Sequence, residues 1–165
     1  MAGLWFEQFT IGQAFEHEIR RTVTESDNVT FCGAPYNPAA IHIDAEYCKG
    51  TEFDKPLVNS IFTLCLMIGL SIQDTTLGTT VVNLGMTDVR FPKPVFAGDT
   101  VRARSTMMES RPSKSGPNAG IITFRHQGFN QRGEEVATCT LHAPLAGAKA
   151  ATRLSLEARG KISYL

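Results

Sequence analysis

The residues best suited to chemistry stand in one short run, Pro35-Tyr36-Asn37-Pro38-Ala39-Ala40-Ile41-His42-Ile43-Asp44. An imidazole takes and gives a proton near neutral pH, which makes His42 a candidate acid–base group. Asp44, two residues on, either orients that imidazole or caps the turn that follows. Asn37, five residues before His42, donates and accepts hydrogen bonds but cannot act as a base. A His-x-Asp run in a loop more often marks a local hydrogen bond and a cap than a catalytic pair, so spacing leaves both readings open. The four cysteines, Cys32, Cys48, Cys65 and Cys139, include no C-x-x-C pair, so no zinc or redox site is expected and no metal is assigned. No nucleotide-binding glycine motif occurs either.

These residues need elements to hold them. Phe15 to Val23 reads as a strand. Thr24 and Asp27 form a capping box that opens a helix over Glu25 to Gly33. Gly33, Pro35 and Pro38 break it, and an irregular loop is expected from Ala34 to Asp44. Ala45 to Gly50 is one or two helical turns capped by Asp44. Asn59 to Ser71 is apolar or small nearly all round, so it belongs in the middle of a fold, with Asn59 or Ser60 as its cap. Cys65 lies inside this run and reads as a small core residue.

The second half changes period. Thr79 to Phe91, Asp99 to Arg111, Gly120 to Asn130 and Glu134 to Leu145 read as strands, the last two joined across Gln131-Arg132-Gly133. His17, His126 and His142 fall on strands and read as plain sheet positions. One strand, one buried helix and four strands predict an α+β hotdog fold, an antiparallel sheet wrapped around a single helix. One sheet over one helix leaves an open face, so a homodimer is expected.

Composition bounds the function. The chain has 165 residues, 42% hydrophobic and 19% charged, the balance of a globular domain. A hotdog domain is expected over residues 1–147, with a loosely held tail at 148–165. Sixteen basic and sixteen acidic residues give zero net charge, which argues against nucleic acid as a partner. Met1 to Thr10 lacks the pattern of a secretory signal. The longest apolar stretch, Ile61 to Ile72, falls short of the roughly 18 residues of a membrane span. No membrane partner is expected, and free thiols suit a reducing, cytoplasmic compartment.

Resemblance adds a chemistry. The run Asn37 to Asp44 resembles the hydratase motif of the MaoC-like enoyl-CoA hydratase family. Lys55-Pro56-Leu57-Val58-Asn59-Ser60 resembles the start of that family's central helix. Val89-Arg90-Phe91-Pro92-Lys93-Pro94-Val95 and Gly98-Asp99-Thr100 resemble the strand and turn after it. The fuller runs Pro56 to Leu64, Leu84 to Pro92 and Phe129 to Glu134 are similar to a branch of mesaconyl-CoA and itaconyl-CoA hydratases. Those enzymes act on branched C5 dicarboxylic thioesters.

The resemblance implies water addition across an enoyl-CoA double bond, or its reversal. It makes His42 the catalytic histidine, Asp44 the acid that follows it, and Asn37 the residue standing where most members keep an aspartate. His42 then serves as base, with Asn37 orienting water or Asp44 supplying the carboxylate. Asn59 and Ser60 replace a frequent His-Gly pair, and the Ser60 backbone N–H survives that change as the donor to the thioester oxygen. Arg20, Arg21, Arg90, Arg102 and Arg104 are candidate contacts for a phosphate or a carboxylate, with Arg90 the best placed. No cofactor is implied, because coenzyme A is part of the substrate. Two rivals stand: a thioesterase, which the absence of Asp or Glu from Ser60 to Ser71 disfavours, and a non-catalytic acyl-CoA-binding subunit, which Asn37 favours.

Overall fold

The computed structural model describes residues 3–113 and 119–148. The tail expected beyond Ala148 lies outside the described residues. In chain order the elements are β1 (Ala14–Thr22), α1 (Glu25–Gly33), α2 (Ala40–Ile43), α3 (Ala45–Cys48), α4 (Ser60–Thr75), β2 (Gly85–Arg90), β3 (Thr100–Pro112), β4 (Ala119–Phe129) and β5 (Glu135–Ala146). A short 3-10 turn at Phe6–Gln8 precedes them. The strands pair antiparallel in the order β1-β3-β4-β5-β2. The helix α4 lies across this sheet, which is the hotdog arrangement.

Packing explains the helix position. Met67, on the inner face of α4, is fully buried in one core cluster with Val101, Ala103, Val136, Ala137 and Cys139. The sheet offers small residues where the helix crosses. A Cβ placed on Gly128 would lie 3.3 Å from Met67 Cγ and Sδ, tighter than ordinary contact, so glycine there permits the close approach. Burying a side chain such as Met67 contributes about 1.5–3 kcal/mol.

Three sequence expectations are corrected. First, α4 is not buried all round. Ile61 is 50% exposed, Ile72 is 39% exposed and Cys65 is exposed, because the sheet covers only one side of the helix. Cys65 is therefore a surface thiol rather than core, whereas the other three cysteines are buried. Second, α4 runs one turn beyond Ser71 and so includes Asp74. Third, β2 is half the expected length. From Thr79 to Leu84 the chain crosses from helix to sheet edge, held by the Thr80–Leu145 bridge and Val81 N–H to the Pro144 carbonyl at 3.1 Å.

The far end of α4 is tied by a buried polar chain. His17 Nδ1 lies 3.0 Å from Asp74 Oδ2, His17 Nε2 lies 2.8 Å from Ser105 Oγ, and Ser105 Oγ lies 2.7 Å from His126 Nδ1. This connects α4, β1, β3 and β4, so His17 and His126 stand on strands as expected and also serve as cross-links. No helix among the described residues is long and apolar enough to cross a membrane.

Burial, reinforced by His17 nearby, pushes the His126 imidazole from 6.5 down to about 4. The unfolded chain therefore binds the extra proton between about pH 6.5 and about pH 4 and the native one does not. Native stability should fall as pH drops through that window. Urea-unfolding midpoints measured across it test this, and His126→Gln should flatten the dependence; an unchanged slope in that variant would assign it elsewhere.

Candidate active site

Three segments converge at the N-terminal end of α4. The first is the expected loop, which contains a helical turn. Asn37 Oδ1 accepts from Ala39 N–H at 3.1 Å, and the turn α2 follows at once. The second is Leu57-Val58-Asn59, laid along Val95-Phe96 by the Val58 N–H to Val95 carbonyl bond at 2.9 Å and the Leu57–Phe96 bridge. The third is α1, opened by the expected capping box: Asp27 N–H donates to Thr24 Oγ1 at 3.1 Å and Thr24 N–H to Asp27 Oδ2 at 2.9 Å.

The first two segments zip together. Leu57 N–H donates to the Ile41 carbonyl at 3.0 Å, and His42 Nδ1 lies 2.9 Å from the Leu57 carbonyl. A carbonyl only accepts, so Nδ1 carries the proton and the neutral ring keeps its lone pair on Nε2. No protein partner for Nε2 is recorded among the described residues. That nitrogen is free to take a proton.

Asn59 is buried and caps α4, its Oδ1 accepting from Ile61 N–H at 2.9 Å. First-turn N–H groups have no intrahelical acceptor, and the Ser60 N–H is one of them. A cavity of about 240 Å³ brings Ser60 and His42 together, with Thr63, Phe53, Phe91 and Lys93 among its walls. A second cavity of about 210 Å³ is also lined by His42, with Glu25, Asn28 and Lys55. Lys55 Nζ also lies 4.2 Å above the Phe96 ring.

The other residues singled out in the sequence are not brought to His42. Asp44 is exposed and caps α3, its Oδ1 accepting from Glu46 and Tyr47 N–H, each at 2.9 Å. Of the two roles open to it, capping is the one it fills. Asn37 turns its oxygen onto its own loop and borders a shallow hollow with Cys32 and Tyr36, apart from the His42 cavity. Arg90 lies on the outer side of the sheet, lining a groove with Arg125, Thr138 and His142. The pairing of β2 with β5 shifts register between Thr87 and Arg90, where Asp88 has φ +52°. Phe91 and Lys93 line the His42 cavity instead. Glu25 and Asn28 carry no local mark in the sequence, and Lys55 and Lys93 stand in the family-like runs without a role assigned to them.

The turn into β3 is fixed by Asp99. Burial alone would raise its carboxyl, but hydrogen bonds from Phe96 N–H, Gln131 and Arg132 more than offset this and hold it below the usual range. Among the described residues no group of three or more His, Cys, Asp or Glu could hold a metal ion.

Known proteins match this arrangement. The model of the MaoC like domain matches residues 6–126. A mesaconyl-CoA hydratase of Cereibacter sphaeroides is 30% identical over 135 residues, 82% of this chain and 39% of that protein. A beta-methylmalyl-CoA dehydratase of Chloroflexus aurantiacus is 27% identical over 134 residues, 81% of this chain and 38% of that protein. The chain thus spans about two fifths of the length of these curated relatives. An X-ray structure of a monoamine oxidase regulatory protein from Archaeoglobus fulgius superposes with a TM-score of 0.78 at 30% identity, covering 90% of this chain and 97% of that one. With the family match running through the loop that carries His42, the start of α4 and most of the sheet, the chain belongs to the MaoC-like domain family.

Proposed function

We propose that the chain is a hydratase/dehydratase, a hydro-lyase that adds water across the double bond of an enoyl-CoA thioester or removes it again. The observation that carries this reading is the shared cavity of His42 and Ser60, with Nε2 as the open ring nitrogen. The thioester oxygen accepts from the Ser60 N–H, where the α4 dipole favours developing negative charge. His42 Nε2 takes a proton from water as the water oxygen bonds to the β-carbon. The π electrons move to an enolate on the thioester oxygen, and the imidazolium returns its proton to the α-carbon. In the reverse direction the same groups expel water. No cofactor is needed, since coenzyme A arrives with the acyl group. Asn59 acts through the cap, and neither Asn37 nor Asp44 is required to touch the water.

The acyl group we propose is small, branched and dicarboxylic, of the C5 kind that a mesaconyl-CoA hydratase is named for. Sequence similarity supports this. So does Lys93, a cation in the wall of the His42 cavity that suits a free carboxylate. It takes the role expected of Arg90.

A second reading is an acyl-CoA-binding subunit without turnover. It is favoured by the cavity walls, which include no carboxylate among the described residues. A thioesterase is disfavoured. The acid on α4, Asp74, stands at the opposite end of the helix and is engaged by His17.

We also propose a homodimer. The outward face of α4 carries Ile61, Cys65 and Ile72, and every residue of β2 is exposed on an edge that pairs only with β5 among the described strands. A second copy would cover these apolar groups. Sedimentation should then give twice 18.0 kDa, and Ile61→Lys should shift the chain toward single copies; a wild-type protein that sediments as one copy would refute the pairing.

Turnover is tested by loss of the enoyl-thioester absorbance with mesaconyl-CoA and crotonyl-CoA. His42→Ala should lower kcat about a hundred- to ten-thousand-fold. Binding without any turnover would favour the second reading, and free-thiol release would name a thioesterase. Lys93→Met should raise KM for mesaconyl-CoA by about tenfold, an interaction of about 1.4 kcal/mol, and leave crotonyl-CoA unchanged. Equal effects on both substrates would remove Lys93 from carboxylate recognition.

A further inference from the structure

We infer that Asn28 is a positioning residue for the proposed hydration: its buried amide sets the tautomer of His42 and its place against the α4 N-terminus. This inference rests on the function proposed above and adds a residue to it.

Asn28 lies on α1 and is 4% exposed. Its Nδ2 donates to the His42 carbonyl at 2.8 Å and to the Leu57 carbonyl at 3.0 Å. Its Oδ1 accepts from the Asn59 N–H at 2.8 Å. Carbonyls only accept and a backbone N–H only donates, so just one amide orientation satisfies all three bonds. One turn along α1, Cys32 Sγ lies 3.9 Å from Asn28 Oδ1 and 3.8 Å from Asn59 Nδ2. A single side chain thus joins the backbone of the imidazole, the backbone of the carbonyl that the imidazole binds, and the cap of the helix that presents Ser60.

The consequence concerns the proton on His42. Its Nδ1 hydrogen bond is made to the Leu57 carbonyl, and Asn28 holds that carbonyl beside the His42 backbone. Without the amide, nothing on α1 keeps the two carbonyls together. The ring is then free to place its proton on Nε2, where it blocks the lone pair that takes the proton from water. A displacement of about 1 Å between base and oxyanion donor is enough to cost about a hundredfold in rate. An ordinary buried asparagine would matter only to stability. This one is predicted to matter to where a proton sits.

The test uses Asn28→Ser, whose single, shorter hydroxyl cannot donate to both carbonyls, and Asn28→Asp, which keeps the acceptor and loses both donors. Two readouts are taken: kcat and KM for mesaconyl-CoA, and the 15N shifts of the His42 ring above pH 8. The wild-type ring should be the Nδ1–H form. The variants should shift it toward Nε2–H and lower kcat about ten- to a hundredfold, with KM within about twofold. A wild-type ring found as Nε2–H overturns the proposal even if neither variant folds. Variants that unfold more easily but keep the wild-type tautomer and kcat overturn it as well. If the wild type turns over no enoyl thioester, the hydratase reading fails, while the ring shifts still decide whether Asn28 sets the tautomer.

Discussion

The first turn of a helix presents N–H groups that the helix itself cannot satisfy. At α4 this constraint organises the surroundings. Asn59 takes one of those groups with its side chain and offers its own N–H to Asn28. The Leu57 carbonyl, two residues before it, receives both Asn28 and His42. The requirement to close a helix end therefore also locates the imidazole. Structural satisfaction and chemical placement are met by the same bonds, so the site needs no separate scaffold.

The opposite end of α4 is closed differently. There Asp74 meets His17, and the chain of hydrogen bonds runs on through Ser105 to His126. Between the two ends, Met67 and its neighbours press on small residues of the sheet. A rod fixed at both ends and along one side has little freedom to tilt. That rigidity matters for an oxyanion donor, whose value depends on its being aimed before charge develops. The remaining side, with Ile61, Cys65 and Ile72, is where the proposed second copy finds its surface.

Much of the fold was legible because local chemistry dictated it. Thr24 and Asp27 announce the start of α1, Asn59 announces α4, and Gln131-Arg132-Gly133 announces the β4–β5 connection. What escaped was set by distant partners. Gln73 and Asp74 are polar and look like an exit from a helix; Asp74 stays helical with His17, 57 residues away, as its partner. The β-branched run from Thr79 to Val82 looks like a strand, yet the path from helix to sheet edge leaves it only one bridge. Direction of side chains failed for a similar reason. Arg90 ends β2 beside a register irregularity at Asp88, and Lys93 lies beyond the strand in the wall of the His42 cavity. Asn28 and His42, 14 residues apart, share no pattern that a linear reading detects.

The candidate motif itself divides in an instructive way. Of the run from Asn37 to Asp44, the two flanking polar residues are spent on backbone geometry: Asn37 accepts from Ala39 N–H just ahead of α2, and Asp44 caps α3. Their work is to make the chain bend twice within a few residues. Only such a bend brings the His42 ring back to the Leu57 carbonyl and leaves Nε2 uncovered. An aspartate at position 37 would accept the same Ala39 N–H and bring a charge besides. An asparagine keeps the turn and withholds the charge, so in the proposed chemistry proton transfer rests on one imidazole and on whatever fixes its tautomer. That is why a neutral amide on α1, rather than an acid beside the ring, becomes the decisive neighbour in the proposed chemistry.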